Sequence, residues 1–156
     1  MRPLKLIIMK YLKLFESKIP TYKVYEIEDK SVHIISYLGD VKIGEIAVNF
    51  IKNGYWMFED VIKREGYDKL FPNDRIAEIE GLVIHEGFKK KGYGRLLMNR
   101  LIKYLKSKQE YTIYLNASPL GINGLNLYRL VNFYKSFGFK TIIKDDNNEE
   151  MILNIK

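Results

Sequence analysis

Residues 76–108, IAEIEGLVIHEGFKKKGYGRLLMNRLIKYLKSK, pass through two backbone periods separated by a glycine turn. The first part, IAEIEGLVI (76–84), is rich in β-branched residues and reads as a strand. Two glycines, Gly92 and Gly94, follow three lysines. From there Leu97, Leu101 and Leu105, with Met98 and Ile102, recur at steps of three and four, which predicts a helix over 94–108. A chain that must go from strand to helix through so tight a turn needs a sheet for the strand and a layer for the helix to cover.

The flanking segments supply both. YKVYEIE (22–28) alternates and reads as a strand. SVHIISYLGDVKIGEIAVNF (31–50) reads as a hairpin, Ile34–Tyr37 and Val41–Phe50 around Gly39-Asp40. YTIYLNA (111–117) is a further strand. GLNLYRLVNFYKSFG (124–138) is a helix with Leu127, Leu130, Val131 and Tyr134 on one side and Gly138 as its C-terminal stop. FKTIIK and EEMILNI close the chain as a hairpin across Asp145–Asn148. Leu4, Ile7, Ile8, Tyr11, Leu12 and Phe15 predict an N-terminal amphipathic helix over 1–19, ending before Pro20. Residues 52–75 show no period and are expected to form an irregular insertion with one short helix around Phe58–Glu65. The expected fold is α+β (mixed α/β): a single domain over 1–156, one twisted sheet flanked by helices.

Charge limits the chemistry. The chain has 26 Lys and Arg against 19 Asp and Glu, a net charge of +7, and no cysteine. Zinc thiolates, disulfides and a cysteine nucleophile are excluded, and a cytoplasmic location fits. The longest apolar run near the N-terminus, Leu6–Met9, is too short for a signal-peptide core or a membrane span, so no membrane association is expected. Lysine outnumbers arginine 20 to 6. Readers of nucleic-acid sequence lean on arginine forks, so a local anion site with general solvation ranks ahead of nucleic acid.

The glycine turn is where that anion would sit. The first N–H groups of a helix lack intrahelical partners and carry partial positive charge. Glycines let an anion approach them closely, and lysines add charge. KKKGYG matches neither the Walker loop nor the dinucleotide fingerprint, whose third glycine position is Leu97 here. A phosphate-bearing ligand and a bland turn with solvated lysines both remain open from these residues alone.

The longer stretch IAEIEGLVIHEGFKKKGYGRLLMNRLIKYL resembles motif A of the GCN5-related N-acetyltransferases, the GNAT family: a strand, a loop Q/R-x-x-G-x-G/A, and a helix. NFYKSFGF (132–139) is similar to the family's later aromatic-Tyr-x-x-x-Gly-Phe motif, and GDVKIGEIAVNF to the strand before motif A. The resemblance covers about 22–51 and 76–156. It implies acetyl-coenzyme A as cosubstrate, no metal, and an amine acceptor, either a small molecule or a peptide. It also implies that the backbone of Leu82, Val83 and Ile84 pairs with the pantetheine arm. Lys89, Lys90, Lys91, Gly92, Tyr93, Gly94 and Arg95 would receive the pyrophosphate, chiefly through the amides of Lys90, Gly92, Gly94 and Arg95. The chain would act as a monomer or homodimer.

Three departures stand out. Lys89 replaces the usual Gln or Arg. Only a turn at 29–31 is left where the family has two helices, and the N-terminal helix is a candidate to replace them. The family's Asn before the tyrosine is matched only out of register, by Asn126.

Direct attack of an amine on a thioester needs a base for the amine and an acid for the leaving sulfur. Glu78 and Glu80 lie two apart on one strand, so on one face, and like charges at that spacing raise one pKa. Glu80 ranks first for its nearness to the loop; the alternative is that both are solvent-facing charges. Tyr134 occupies the family's acid position, and its alternative is core packing beside Tyr128, Phe133 and Phe137. His33 and His85 read as surface histidines, and KDDNNEE (144–150) as a solvated hairpin tip. A coenzyme-binding or nucleic-acid- or ribosome-associated module without catalysis is the competing function.

Overall fold

The computed structural model describes residues 19–52, 58–72, 75–109, 111–119 and 126–155. The expected helix over 1–19 thus lies outside the described residues except for Ile19. The described residues form seven strands and four helical segments. They are β1 Thr21–Ile27, β2 Ser31–Leu38, β3 Val41–Lys52, α1 Glu59–Glu65, α2 Tyr67–Leu70, β4 Arg75–Ile84, α3 Tyr93–Lys108, β5 Tyr111–Ala117, α4 Leu127–Lys135, β6 Lys140–Lys144 and β7 Glu149–Ile155. The strands make one sheet in the order β1-β2-β3-β4-β5-β7-β6, the fold class expected from the sequence.

Local chemistry sets the turns. Gly39 takes φ 59° in the β2–β3 hairpin, a region that glycine enters without a Cβ penalty. Asp145 caps the last hairpin: its side chain accepts from the amides of Asn147 and Asn148 at 2.8 and 2.9 Å. Glu149 and Glu150 do not belong to that tip. They lie within β7, and Glu149 is buried, accepting from Thr141 Oγ1 at 2.6 Å and pairing with Lys144 at 3.2 Å. The reading of 144–150 as a wholly solvated tip fails there, because a register set by β5 draws both residues into the ladder.

Alternation along the strands gives the sheet two apolar faces. On one, Leu97, Met98, Leu101 and Leu105 of α3, with Val131 and Tyr134 of α4, close over Val32, Ile34, Ile46, Ala77, Ile79, Ile113 and Leu115. Each fully buried leucine there contributes about 1.5–3 kcal/mol. On the other, Phe58, Val61, Ile62, Leu70 and Phe71 cover Ile76, Tyr114 and Ile152. The segment expected as an irregular insertion therefore does build a layer, through the expected short helix and a second helical turn.

All strand pairs are antiparallel except β4–β5, which α3 connects across the first face. That one parallel ladder is short: Ile76 to Ile79 against Thr112 to Leu115. β4 then runs on to Ile84 and β5 to Ala117 without each other. A β-bulge sits at the parting point. Val48 pairs with Ile79 and Ala47 with Gly81, so Glu80 is the extra residue. A bulge bends its strand and increases the local twist, which turns the end of β4 away from β5.

Candidate active site

The parting strands leave a cleft in the middle of the sheet. From Gly81 to Ile84, β4 is paired to β3 alone, so among the described residues its backbone groups meet no strand on the β5 side. Leu82 and Ile84 are half-buried against the α3-side core, while Val83 is exposed. An extended chain bearing amide groups is the ligand such an edge suits.

The loop 85–92 leads from this edge to α3. The amide of His85 donates to Ile43 O at 2.8 Å, and Phe88 N donates to His85 O at 3.1 Å. Gly87, Lys90 and Gly92 take φ of 86°, 60° and 86°. Gly92 is the N-cap of α3, and no side chain caps the helix. The amide of Leu96 reaches back to Gly92 O at 3.2 Å, which leaves the amides of Tyr93, Gly94 and Arg95 without intrahelical acceptors. No acidic residue stands in that first turn. The lysines divide the work: Lys89 pairs with Glu86 at 3.1 Å, and Lys91 lies 6.0 Å from the Phe88 ring, which meets the Tyr93 ring at 6.4 Å. A Cβ on Gly94 would touch Ile84 at 3.7 Å and Phe133 at 3.8 Å, so Gly94 is where the end of β4, α3 and α4 meet. An uncapped helix start beside an open strand edge suits a ligand that carries phosphate at one end and an amide-bearing chain behind it.

Tyr134 stands on α4 in the α3-side core, next to Phe133, which borders Gly94. Asn126 begins that helix by accepting from Arg129 N at 2.9 Å, which gives the out-of-register asparagine a capping role. Ser136, not the expected Gly138, caps the helix; Gly138, at φ 101°, lies two residues further on, in the turn to β6. Tyr134 is 7% exposed, packed edge-on against Phe133 and Phe139, and burial pushes its hydroxyl pKa up to about 12. It is therefore a protonated phenol at neutral pH, and part of the core as well. Arg95 ties the two helices: it donates to Ser136 Oγ at 2.8 Å and lies 5.7 and 4.8 Å from the Phe133 and Phe137 rings.

The two carboxylates differ sharply. Glu80, at the bulge, is exposed and accepts from Asn49 Nδ2 at 2.5 Å. Glu78 is half-buried, and burial, then the charge of Glu80, raises its pKa. Its neighbour across the parallel ladder is Tyr114, whose hydroxyl is pushed up by burial and then by the charges of Glu150 and Glu78. Glu150 is itself raised by burial and then by Asp145, and its Oε2 is buried without a hydrogen-bond partner among the described residues. Tyr114, Glu150 and Asn49 escaped the sequence reading. The available signal was β5 itself: Thr112, Tyr114 and Asn116 put three polar groups on one face of a central strand, where an apolar face is the norm.

Two cavities among the described residues, of about 250 and 220 Å³, lie elsewhere. They share Asp29, Phe50, Gln109 and Tyr111, at the opposite end of β4 from the cleft, so they take no part in this site.

Residues 10–139 match the acetyltransferase (GNAT) family. A curated relative, an uncharacterized N-acetyltransferase from Gracilaria tenuistipitata var. liui, is 40% identical over 65 residues; that match spans 42% of this chain and 31% of the relative. The fold is that of Arabidopsis thaliana NAA60 solved with a bisubstrate analogue, at a TM-score of 0.58 and 14% identity over 100% of this chain and 95% of that one. Arabidopsis thaliana Naa50 with the bisubstrate analogue CoA-Ac-MVNAL gives 0.54 and 17% over 99% and 95%. The ribosomal-protein-S18-alanine N-acetyltransferase of Escherichia coli gives 0.56 and 16% over 92% and 76%.

Proposed function

The chain belongs to the acetyltransferase (GNAT) family, and from that membership and the β4–β5 cleft we propose that it moves an acetyl group from acetyl-coenzyme A to an amine. The observation that carries this is the juxtaposition of an unpaired strand edge at Leu82–Ile84 with the uncapped start of α3 at Gly92. The edge would hold the pantetheine amides. The amides of Tyr93, Gly94 and Arg95, with the lysines around them, would hold the pyrophosphate. Bound there, acetyl-coenzyme A supplies a thioester carbonyl open to attack.

The residues of the chain supply the proton transfers. Glu78 is the better base. Burial, then the charge of Glu80, raises its pKa above the ordinary carboxylate range, which makes it the stronger base of the two, and it is half-buried where the strands part. Glu80 holds that pKa up by its charge and is itself held by Asn49. Tyr134 gives its phenolic proton to the departing sulfur. The acceptor is a primary amine, of a small molecule or a peptide. NAA60 and Naa50 were solved with bisubstrate analogues, which puts peptide α-amines into the acceptor panel.

The test is thiol release from acetyl-coenzyme A with peptides, amino acids, polyamines and aminoglycosides in turn, with product mass measured. Acceptor-dependent release with an acetylated product supports the reading. Tight coenzyme binding with no release for any acceptor would replace it with a non-catalytic coenzyme-binding role.

A further inference from the structure

The net charge of the chain sits on two helices. α3 carries Arg95, Arg100, Lys103, Lys106 and Lys108, and α4 carries Arg129 and Lys135; neither helix has an acidic residue. These are seven of the 26 Lys and Arg in the sequence, so the remaining 19 are matched by the 19 Asp and Glu, and the rest of the chain is neutral. All seven side chains are exposed. The helices that cover the other face of the sheet are mixed: α1 and α2 hold Glu59, Asp60, Glu65 and Asp68 beside Lys63, Arg64 and Lys69.

Arg95 is engaged at the start of α3 and Arg100 lies 5.7 Å from the Tyr22 ring, but neither stability nor the cofactor accounts for Lys103, Lys106 and Arg129. Like charges three or four residues apart on a helix repel, as Arg100, Lys103 and Lys106 do. Among the described residues only Lys108 of the seven is in an ion pair, with Glu26 at 3.1 Å. Lys103 and Lys106 lie about 16 and 21 Å along the axis from Gly92, beyond the Debye length of about 8 Å at physiological salt. They add little to the field at the start of α3.

We propose that the outward face of α3 and α4 docks a single-stranded nucleic acid. Lys103 and Lys106 lie on the solvent side of α3, and the exposed Arg100, whose guanidinium also meets the Tyr22 ring at 5.7 Å, continues the line one turn earlier, with neighbours about 5–6 Å apart. That is a spacing at which successive backbone phosphates can be met. On α4, Arg129 adds a cation, and Tyr128 beside it is 76% exposed, a free ring on which an unpaired base stacks. A lipid surface fits less well: α3 turns its apolar side into the core and leaves Leu96, 43% exposed, as its one large exposed hydrophobic.

The probe is a fluorescein-labelled oligouridylate of about 12 nucleotides, read by anisotropy between about 50 and 200 mM salt. With four phosphate contacts, log K falls against log salt with a slope of about −2.8. Lys103→Glu/Lys106→Glu weakens binding about tenfold or more and flattens the slope by about 1.4. Lys30→Glu/Lys69→Glu makes the same charge change elsewhere and leaves binding within about twofold. Tyr128→Ala weakens binding about fivefold or more. Acetyl transfer to a small acceptor is unchanged in all three. The proposal is overturned by a lack of saturable binding at the low-salt end, by equal losses in the two double variants, or by tighter binding to phosphatidylserine vesicles through the same lysines.

Discussion

Glu78 stands opposite Tyr114 in the last but one rung of the parallel β4–β5 ladder, and one rung later the strands part. A carboxylate is thereby held half-buried beside a phenol whose own ionisation burial suppresses. The pair marks the point where the sheet stops being a ladder and becomes a cleft.

Glu78→Gln should lower kcat by about 100- to 10,000-fold, the usual worth of a general base. Coenzyme affinity should stay near the wild-type value. Glu80→Gln should be milder and should act through Glu78. Removing the neighbouring charge lowers the Glu78 pKa, so the acid limb of the pH–rate profile moves to lower pH. Profiles of both variants that superpose on the wild type would place the base elsewhere.

Stability should carry the same signature. The folded-state pKa of Glu78 is raised above its ordinary value, so the folded chain holds that proton more tightly than the unfolded one. Stability from this group is full below the unfolded pKa and is lost as pH rises through the folded one. Glu78→Gln should therefore melt at or above the wild-type temperature at neutral pH. The advantage should vanish in acid.

Tyr134→Phe keeps the contacts with the rings of Phe133 and Phe139 and removes the hydroxyl with its proton. If that proton goes to the leaving sulfur, kcat falls about 100- to 10,000-fold with the coenzyme dissociation constant little changed. A purely packed tyrosine would instead lose about 1 kcal/mol of stability at most and turn over normally. Melting temperature and kcat on the one variant separate these outcomes.

The two loop glycines should fail differently. Gly92 sits at φ 86°, so Gly92→Ala strains the backbone by about 1–2 kcal/mol even though its Cβ would touch nothing. Gly94→Ala meets only ordinary contacts with Ile84 and Phe133 and should fold as well as wild type. Gly94→Glu should lose coenzyme binding in calorimetry, because the side chain intrudes on the anion site and repels phosphate.

What the sequence disclosed depended on how far each signal travels along the chain. α3 was legible almost to the residue, 94–108 expected and Tyr93–Lys108 found, since its leucines repeat over four turns. The hairpin at Gly39 was legible from glycine, whereas α4 ends at Lys135, three residues before the glycine that the sequence offered as its stop. α1 and α2, of seven and four residues, are too short for any period to show. The bulge at Glu80 was hidden because register belongs to a pair of strands. Two carboxylates that look equivalent in EIE thus acquire different surroundings, one half-buried and one exposed. Tyr114 and Glu150 are far apart in sequence and meet only when β7 inserts between β5 and β6.

Hydrogen–deuterium exchange with and without acetyl-coenzyme A reads the coenzyme-binding amides themselves. Protection should appear at Leu82–Ile84 and at Gly92–Leu96, and should be lost in Gly94→Glu. Unchanged exchange at both segments, or protection confined to the opposite end of the sheet around Phe50, Arg75 and Tyr111, would contradict the account.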